Sequence, residues 1–233
     1  MTFLKPAIRL TTVLTALFLI VLSANCRAGA QVPGSKTEEI EWTWAVRPEV
    51  ADPKLPNVLL LGDSITRNYF PEVRLELKGV ANVYLMSSST SVGDPRMAGQ
   101  LEEFERAEGI EFSVVHFNNG MHGWAYSEAE YKAAFPDFVA EIRKIAPKAK
   151  LIWATTTPVR AEKQPGPTNA RVVARNAIAK EIVGPAGIPV DDQHGLMLQH
   201  AETYQDDVHF NEAGAAMQGK QATGLIREAL GKH

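Results

Sequence analysis

A hydroxyl that can attack a carbonyl, a base to take its proton and a carboxylate to orient that base stand at separate places in this chain. Ser64 lies in Gly62-Asp63-Ser64-Ile65, directly after the apolar run Val58-Leu59-Leu60-Leu61. A serine in a tight turn after a buried strand is held forward at the sheet's edge. Its hydroxyl is a poor nucleophile unless a neighbouring base accepts the proton, and Gly62 permits the turn. The plainer reading is a helix cap, since Asp63 and Ser64 both cap well, and on this fragment alone the cap is preferred. The fragment is not a GxSxG elbow, because Thr66 stands where the last glycine should be. Nor is it a phosphate loop, since no Gly-Lys-Ser/Thr follows.

Two stretches could supply the base. In Asp206-Asp207-Val208-His209 an aspartate three residues ahead of a histidine can turn back and accept from one ring nitrogen, leaving the other free as a base. Asp191-Asp192-Gln193-His194 has the same spacing. Position favours His209, which precedes the last helix, over His194, which follows the fifth strand too early to reach Ser64. Phe117-Asn118-Asn119-Gly120-Met121-His122 ends the third strand, and its amides and imidazole can offer donors to a developing oxyanion. Asn and Gly are also ordinary turn residues. His116 and His122 have no carboxylate near them in sequence, and no metal site is assigned.

These residues need a scaffold that brings them to one rim. Apolar runs at 58–61, 80–86, 112–117, 151–154 and 188–190 suit strands buried on both faces. Between them lie helical patterns. Ser127 with Glu130 forms a capping box, followed by Tyr131, Phe135, Phe138, Ile142 and Ile145 on one face. Pro136 inside that pattern predicts a kink or a late start. Met97, Leu101 and Phe104 mark a shorter helix, and Val173, Ala177 and Ile182 another after Thr168. Asn211 can cap a last helix that turns Ala222, Leu225, Ile226 and Ala229 inward. Strand and helix in alternation mean a parallel sheet covered on both faces. In such sheets ligands sit beyond the carboxyl ends of the strands.

Residues 1–30 read as a signal peptide. Lys5 and Arg9 precede an uncharged stretch from Leu10 to Leu22, and Ala28-Gly29-Ala30 is a small-x-small cleavage pattern. The stretch is shorter than the roughly 20 residues that span a bilayer. Export to the periplasm or beyond is expected, with no stable membrane insertion after cleavage. Cleavage would leave 21 basic and 27 acidic residues, a formal charge of −6, and would remove Cys26, the single cysteine. Cysteine hydrolases, disulfide frameworks and Cys-rich zinc sites are excluded, and no basic surplus points to nucleic acid. Residues 31–56 read as an extended lead-in whose Trp42 and Trp44 cover part of the core. Residues 57–233 form one domain.

The order Gly-Asp-Ser first, an Asn-rich block in the middle and Asp-x-x-His last resembles the SGNH/GDSL hydrolase superfamily over roughly Pro56 to Leu230. The resemblance implies a three-layer α/β/α, flavodoxin-like fold with a five-stranded parallel sheet. It also implies ester hydrolysis without a metal or cofactor. On that mapping Ser64 is the nucleophile, His209 the general base and then acid, and Asp206 its orienting partner. The family's third block, Gly-x-Asn-Asp, falls on Gly120-Met121-His122-Gly123 if aligned on the glycine, and on Asn118 or Asn119 if aligned on the amide. The oxyanion donors are therefore the Ser64 amide, the Gly93 amide after the second strand, and one of Asn118, Asn119 and His122.

The export signal, the modest length and Trp124 and Tyr126 near the third strand, read as exposed, motivate an esterase removing short acyl groups, acetyl foremost, from carbohydrate. Its substrate is a small-molecule or polysaccharide ester. A catalytically weak or inactive binding module, or a lipase or thioesterase of the same fold, is the alternative.

Overall fold

The computed structural model describes residues 34–232; the expected signal peptide and Cys26 lie outside them. Two strands open the described chain, β1 (Thr43–Val46) and β2 (Asn57–Gly62), followed by α1 (Ser64–Glu76). Then come β3 (Asn82–Ser88), α2 (Arg96–Glu108), β4 (Val114–Phe117) and α3 (Glu128–Ile145). The remainder is β5 (Lys150–Ala154), α4 (Asn169–Val183), β6 (Val190–Asp191), α5 (Gln193–Leu198), a short 3-10 turn at Ala201–Thr203 and α6 (Glu212–Leu230).

The six strands form one sheet in the order β1-β3-β2-β4-β5-β6. All five expected strands are present, and their mutual pairings are parallel. Counted among themselves they run 2-1-3-4-5, the flavodoxin-like order. The sixth strand was not expected. It comes from the lead-in segment and pairs antiparallel with β3, Trp44 opposite Ser87. Its four residues are too few, and too exposed, to give the alternation by which a half-buried strand is recognised.

Side-chain alternation along β2 builds both layers. Val58 and Leu60 join Tyr69, Val73, Ala222 and Ile226, so α1 and α6 cover one face. Leu59 and Leu61 join Leu101, Phe135, Ile142 and Val183, so α2, α3 and α4 cover the other. Fully burying one such Leu or Phe side chain contributes about 1.5–3 kcal/mol. The switch in winding direction falls between β2 and β4, and there the carboxyl ends leave a crevice.

Four local expectations need correction. α3 starts at its Ser127 capping box and continues through Pro136, so the proline causes no late start. In α4 the inward residues are Val172, Arg175, Ala179 and Val183, while Val173 is exposed. The buried face is shifted because it includes an arginine, which hydropathy assigns to solvent. Trp44 does not cover the core; it is about half exposed, with the Arg67 guanidinium 4.7 Å from its ring centroid. Tyr126 is buried rather than surface-exposed, because its hydroxyl lies within hydrogen-bond distance of the Gly34 carbonyl and the Asp94 carboxylate. No described helix is long and apolar enough to cross a membrane.

Candidate active site

The turn after β2 divides its labour between two neighbours. Asp63 is the N-cap of α1, and its Oδ1 accepts from the Ile65 amide at 2.9 Å. Capping is thus done by Asp63 alone, and Ser64, the first helical residue, keeps its hydroxyl free of the helix. The amides of a first turn have no intrahelical acceptor. Gly62 is required because a Cβ there would run into the Thr66 side chain.

Ser64 Oγ lies 2.7 Å from His209 Nε2, and His209 Nδ1 lies 2.8 Å from Asp206 Oδ2. The Asp206 carboxylate can only accept, so Nδ1 carries the proton and Nε2 receives the Ser64 hydroxyl. Burial alone would raise the Asp206 pKa. The backbone amides of His209 and Val208, with the His209 ring, outweigh that and lower it to about 2. Both amides meet Oδ1 at 2.8 Å, so the carboxylate also shapes the turn that carries the histidine. The loop is tied to α1 from below: Asn68 Nδ2 donates to the Phe210 carbonyl at 2.7 Å. Asn68 is one turn beyond Ser64, so one helix positions the hydroxyl and anchors the imidazole's backbone. That residue was not singled out from sequence; its only signal was the four-residue step from Ser64.

The competing dyad is not a dyad. Asp191 is fully buried and meets His116 Nε2 at 2.7 Å, with Gln193 and Gln221 donating to the same carboxylate. His194 turns its backbone amide to Thr155 Oγ1 at 2.7 Å. It is not among the residues around Ser64. His116 and His122, without carboxylates near them in sequence, each receive one from a distant segment, Asp191 and Glu38 respectively.

The loop after β4 faces Ser64 across a cavity of about 450 Å³ that also takes in Glu38, Met121, His122, Trp124, Lys163 and His209. Its three candidate donors are differently engaged. Asn118 Nδ2 donates to the Ala154 carbonyl at 2.7 Å and to Thr156 Oγ1 at 3.2 Å. Asn119 clasps the loop after β3, accepting from the Val92 amide and donating to the Thr90 carbonyl. His122 contacts Glu38 through Nδ1 at 2.9 Å, and its Nε2 has no partner. Gly93 sits under the Tyr126 ring, which a Cβ would crowd.

Arg175 holds this loop in shape. Its side chain is fully buried and donates to the carbonyls of Gly120, His122, Gly123 and Tyr126 at 2.8–3.3 Å. Gly123 takes a left-handed φ of +70° and packs against Ser91 too closely for any side chain. Among the described residues no three His, Cys or carboxylate side chains gather as metal ligands.

A serine, a histidine and a carboxylate are thus hydrogen-bonded in series at the switch point of a flavodoxin-like α/β/α sheet. The profile of the GDSL-like lipase/acylhydrolase family matches residues 60–217, more than half of the chain. The chain belongs to that family.

Solved structures resemble it in fold. A lipase/acylhydrolase from Enterococcus faecalis superposes with a TM-score of 0.60 at 18% identity, over 75% of this chain and 96% of that one. An acetyl esterase mutant with an acetate ion gives 0.58 at 17%, over 76% and 99%. The catalytic domain of a Streptococcus pneumoniae peptidoglycan O-acetyltransferase gives 0.55 at 19%, over 77% and 97%. No curated protein matches.

Proposed function

We propose that the protein is a serine esterase that removes short acyl groups, acetyl foremost, from carbohydrate outside the cytoplasm. The observation that carries the reading is the unbroken hydrogen-bond series Ser64–His209–Asp206. Ser64 Oγ bonds to the ester carbonyl carbon while its proton passes to His209 Nε2. The carbonyl π pair moves to oxygen, where the Ser64 amide and a donor from the 118–122 loop meet it. Collapse expels the alcohol, which takes the proton from His209. Water, deprotonated by the same nitrogen, then attacks the acyl-serine; the bond from Ser64 Oγ to the acyl carbon breaks, Oγ takes the proton back from His209 and the acid leaves.

Substrate class rests on the shape of the cavity. It is open and lined by Met121, Trp124, Pro167 and Val208, with Lys163 at its margin. An indole lining the crevice offers a flat apolar face to a sugar ring. The likeness in fold to proteins named for acetyl transfer and acetyl ester cleavage supports the same choice.

A fluorophosphonate probe tests the chemistry. The wild type is expected to label and Ser64→Ala to lose both labelling and ester turnover. A wild type that neither labels nor hydrolyses any of a series of para-nitrophenyl esters and acetylated sugars would overturn the reading.

A further inference from the structure

We propose that His122, protonated on both ring nitrogens, is the side-chain donor to the oxyanion, and that Glu38 is the positioning residue that keeps it so. The inference rests on the serine-esterase reading and assigns within it a donor and a partner. Three observations lead to it. First, Asn118 Nδ2 gives its hydrogens to the Ala154 carbonyl and Thr156 Oγ1, Asn119 is held at both ends of its amide by the Val92 amide and the Thr90 carbonyl, and neither lines the Ser64 cavity. Turning either amide toward Ser64 would leave buried carbonyls unpaired, at about 1–3 kcal/mol each. Second, His122 lines the Ser64 cavity, and its Nε2 is buried without a partner. Third, the Glu38 carboxylate meets His122 Nδ1 at 2.9 Å and the Gly123 amide at 2.8 Å through its other oxygen.

The proton bookkeeping then decides what Nε2 can do. An ionised carboxylate only accepts, so Nδ1 must carry a hydrogen. A neutral ring so held would present a bare lone pair at Nε2, which repels an oxyanion. Only the imidazolium presents an Nε2–H. The charged groups around the ring favour that form. Burial opposes it, but the Glu38 hydrogen bond and the negative charges of Asp63, Glu38 and Glu41 hold the His122 pKa above its usual value. Arg175 is spent on the His122 carbonyl at 2.8 Å, and Trp42 lies edge-on to the ring at 5.6 Å. Lys163 and His209 line the same cavity. Asp63 Oδ2 is also buried and unpartnered, and no ion pair joins it to His122. In the reaction His122 lends Nε2–H to the oxygen and keeps its proton; the proton in transit stays between Ser64 and His209.

The sign of the pH effect follows. The donor His122 must be charged, so kcat/KM falls as His122 loses its proton on the alkaline side. Five forms are compared on a short-chain para-nitrophenyl ester across pH. The wild type is expected to show that alkaline fall. His122→Asn, whose amide donates at every pH, is expected to lose the alkaline fall. Glu38→Gln is expected to move that fall down by about one pH unit or more, an effect absent when it is added to His122→Asn. His122→Phe is expected to lose about 10²–10³-fold at the optimum.

NMR titration of the His122 ring in the wild type gives a readout apart from turnover, and the expected state at neutral pH is an imidazolium with two N–H groups. A neutral ring there overturns the proposal, as does an alkaline fall that is the same in wild type, His122→Asn and Glu38→Gln. If those results come from a protein whose Ser64 still labels, this assignment alone fails. A wild type that does not label at all removes the esterase reading beneath it.

Discussion

Arg175 is the residue whose loss the structure makes most consequential without touching the reacting atoms. Its guanidinium, fully buried, is shared among four carbonyls of the loop after β4. One face lies 4.1 Å from the centroid of Trp124. Burial pulls its pKa down to about 10, which leaves it cationic at neutral pH. Arg175→Met keeps most of the apolar stem and removes the fork. Hydrogen bonds from a charged group are worth about 1.5–3 kcal/mol each, and four would sum to far more than is observed for single substitutions. They share one cation, whose own burial costs several kcal/mol, and this sets the net well below the sum. The carbonyls remain buried after the substitution, so the loss does not vanish, and about 4 kcal/mol is expected. With a urea slope of about 2 kcal/mol per M, the midpoint should fall by about 2 M. Equilibrium urea unfolding followed by tryptophan fluorescence measures it. A loss under about 1 kcal/mol with the slope unchanged would refute the reasoning, because the loop would then hold its shape without the cation.

Two further outcomes bear on the Ser64 series. Asp206→Asn can keep the backbone contacts through its carbonyl oxygen but offers an N–H to Nδ1. That shifts the histidine's proton to Nε2, and turnover should fall by about 10³–10⁴-fold. Steady-state kinetics within about tenfold of wild type would mean that Asp206 does not set the tautomer. His209→Ala is expected to abolish ester hydrolysis, while His194→Ala retains most of it, since His194 is tied to Thr155 and lies outside the Ser64 cavity; measuring both on one ester checks the pair.

Much of the architecture was legible in the chain because it is written locally. Five apolar runs mark five strands, and the capping box at Ser127 and the cap at Asn211 stand where α3 and α6 begin. Leu-rich β2 alternates between two cores because successive side chains on a strand point to opposite faces. The Asp206-to-His209 turn was legible for the same reason: aspartate, two amides and imidazole all lie within four residues.

What only the tertiary structure decided is every pairing between segments far apart in sequence. Asp191-x-x-His194 and Asp206-x-x-His209 are equal as strings; the buried His116 on β4 claims Asp191 and leaves one of them as a dyad. Asn118, Asn119 and His122 are alike in sequence; folding sets the Asn118 amide on β5, clasps Asn119 to the loop after β3 and leaves His122 Nε2 without a partner. Glu38, in a polar lead-in with no periodic pattern, and Arg175, on a helix face that hydropathy assigns to solvent, become parts of the site only because the crevice brings them there. A sequence sets which hydrogen bonds a side chain is able to make. Which ones are already satisfied, and so which group is left to meet a substrate, depends on partners that folding delivers from elsewhere.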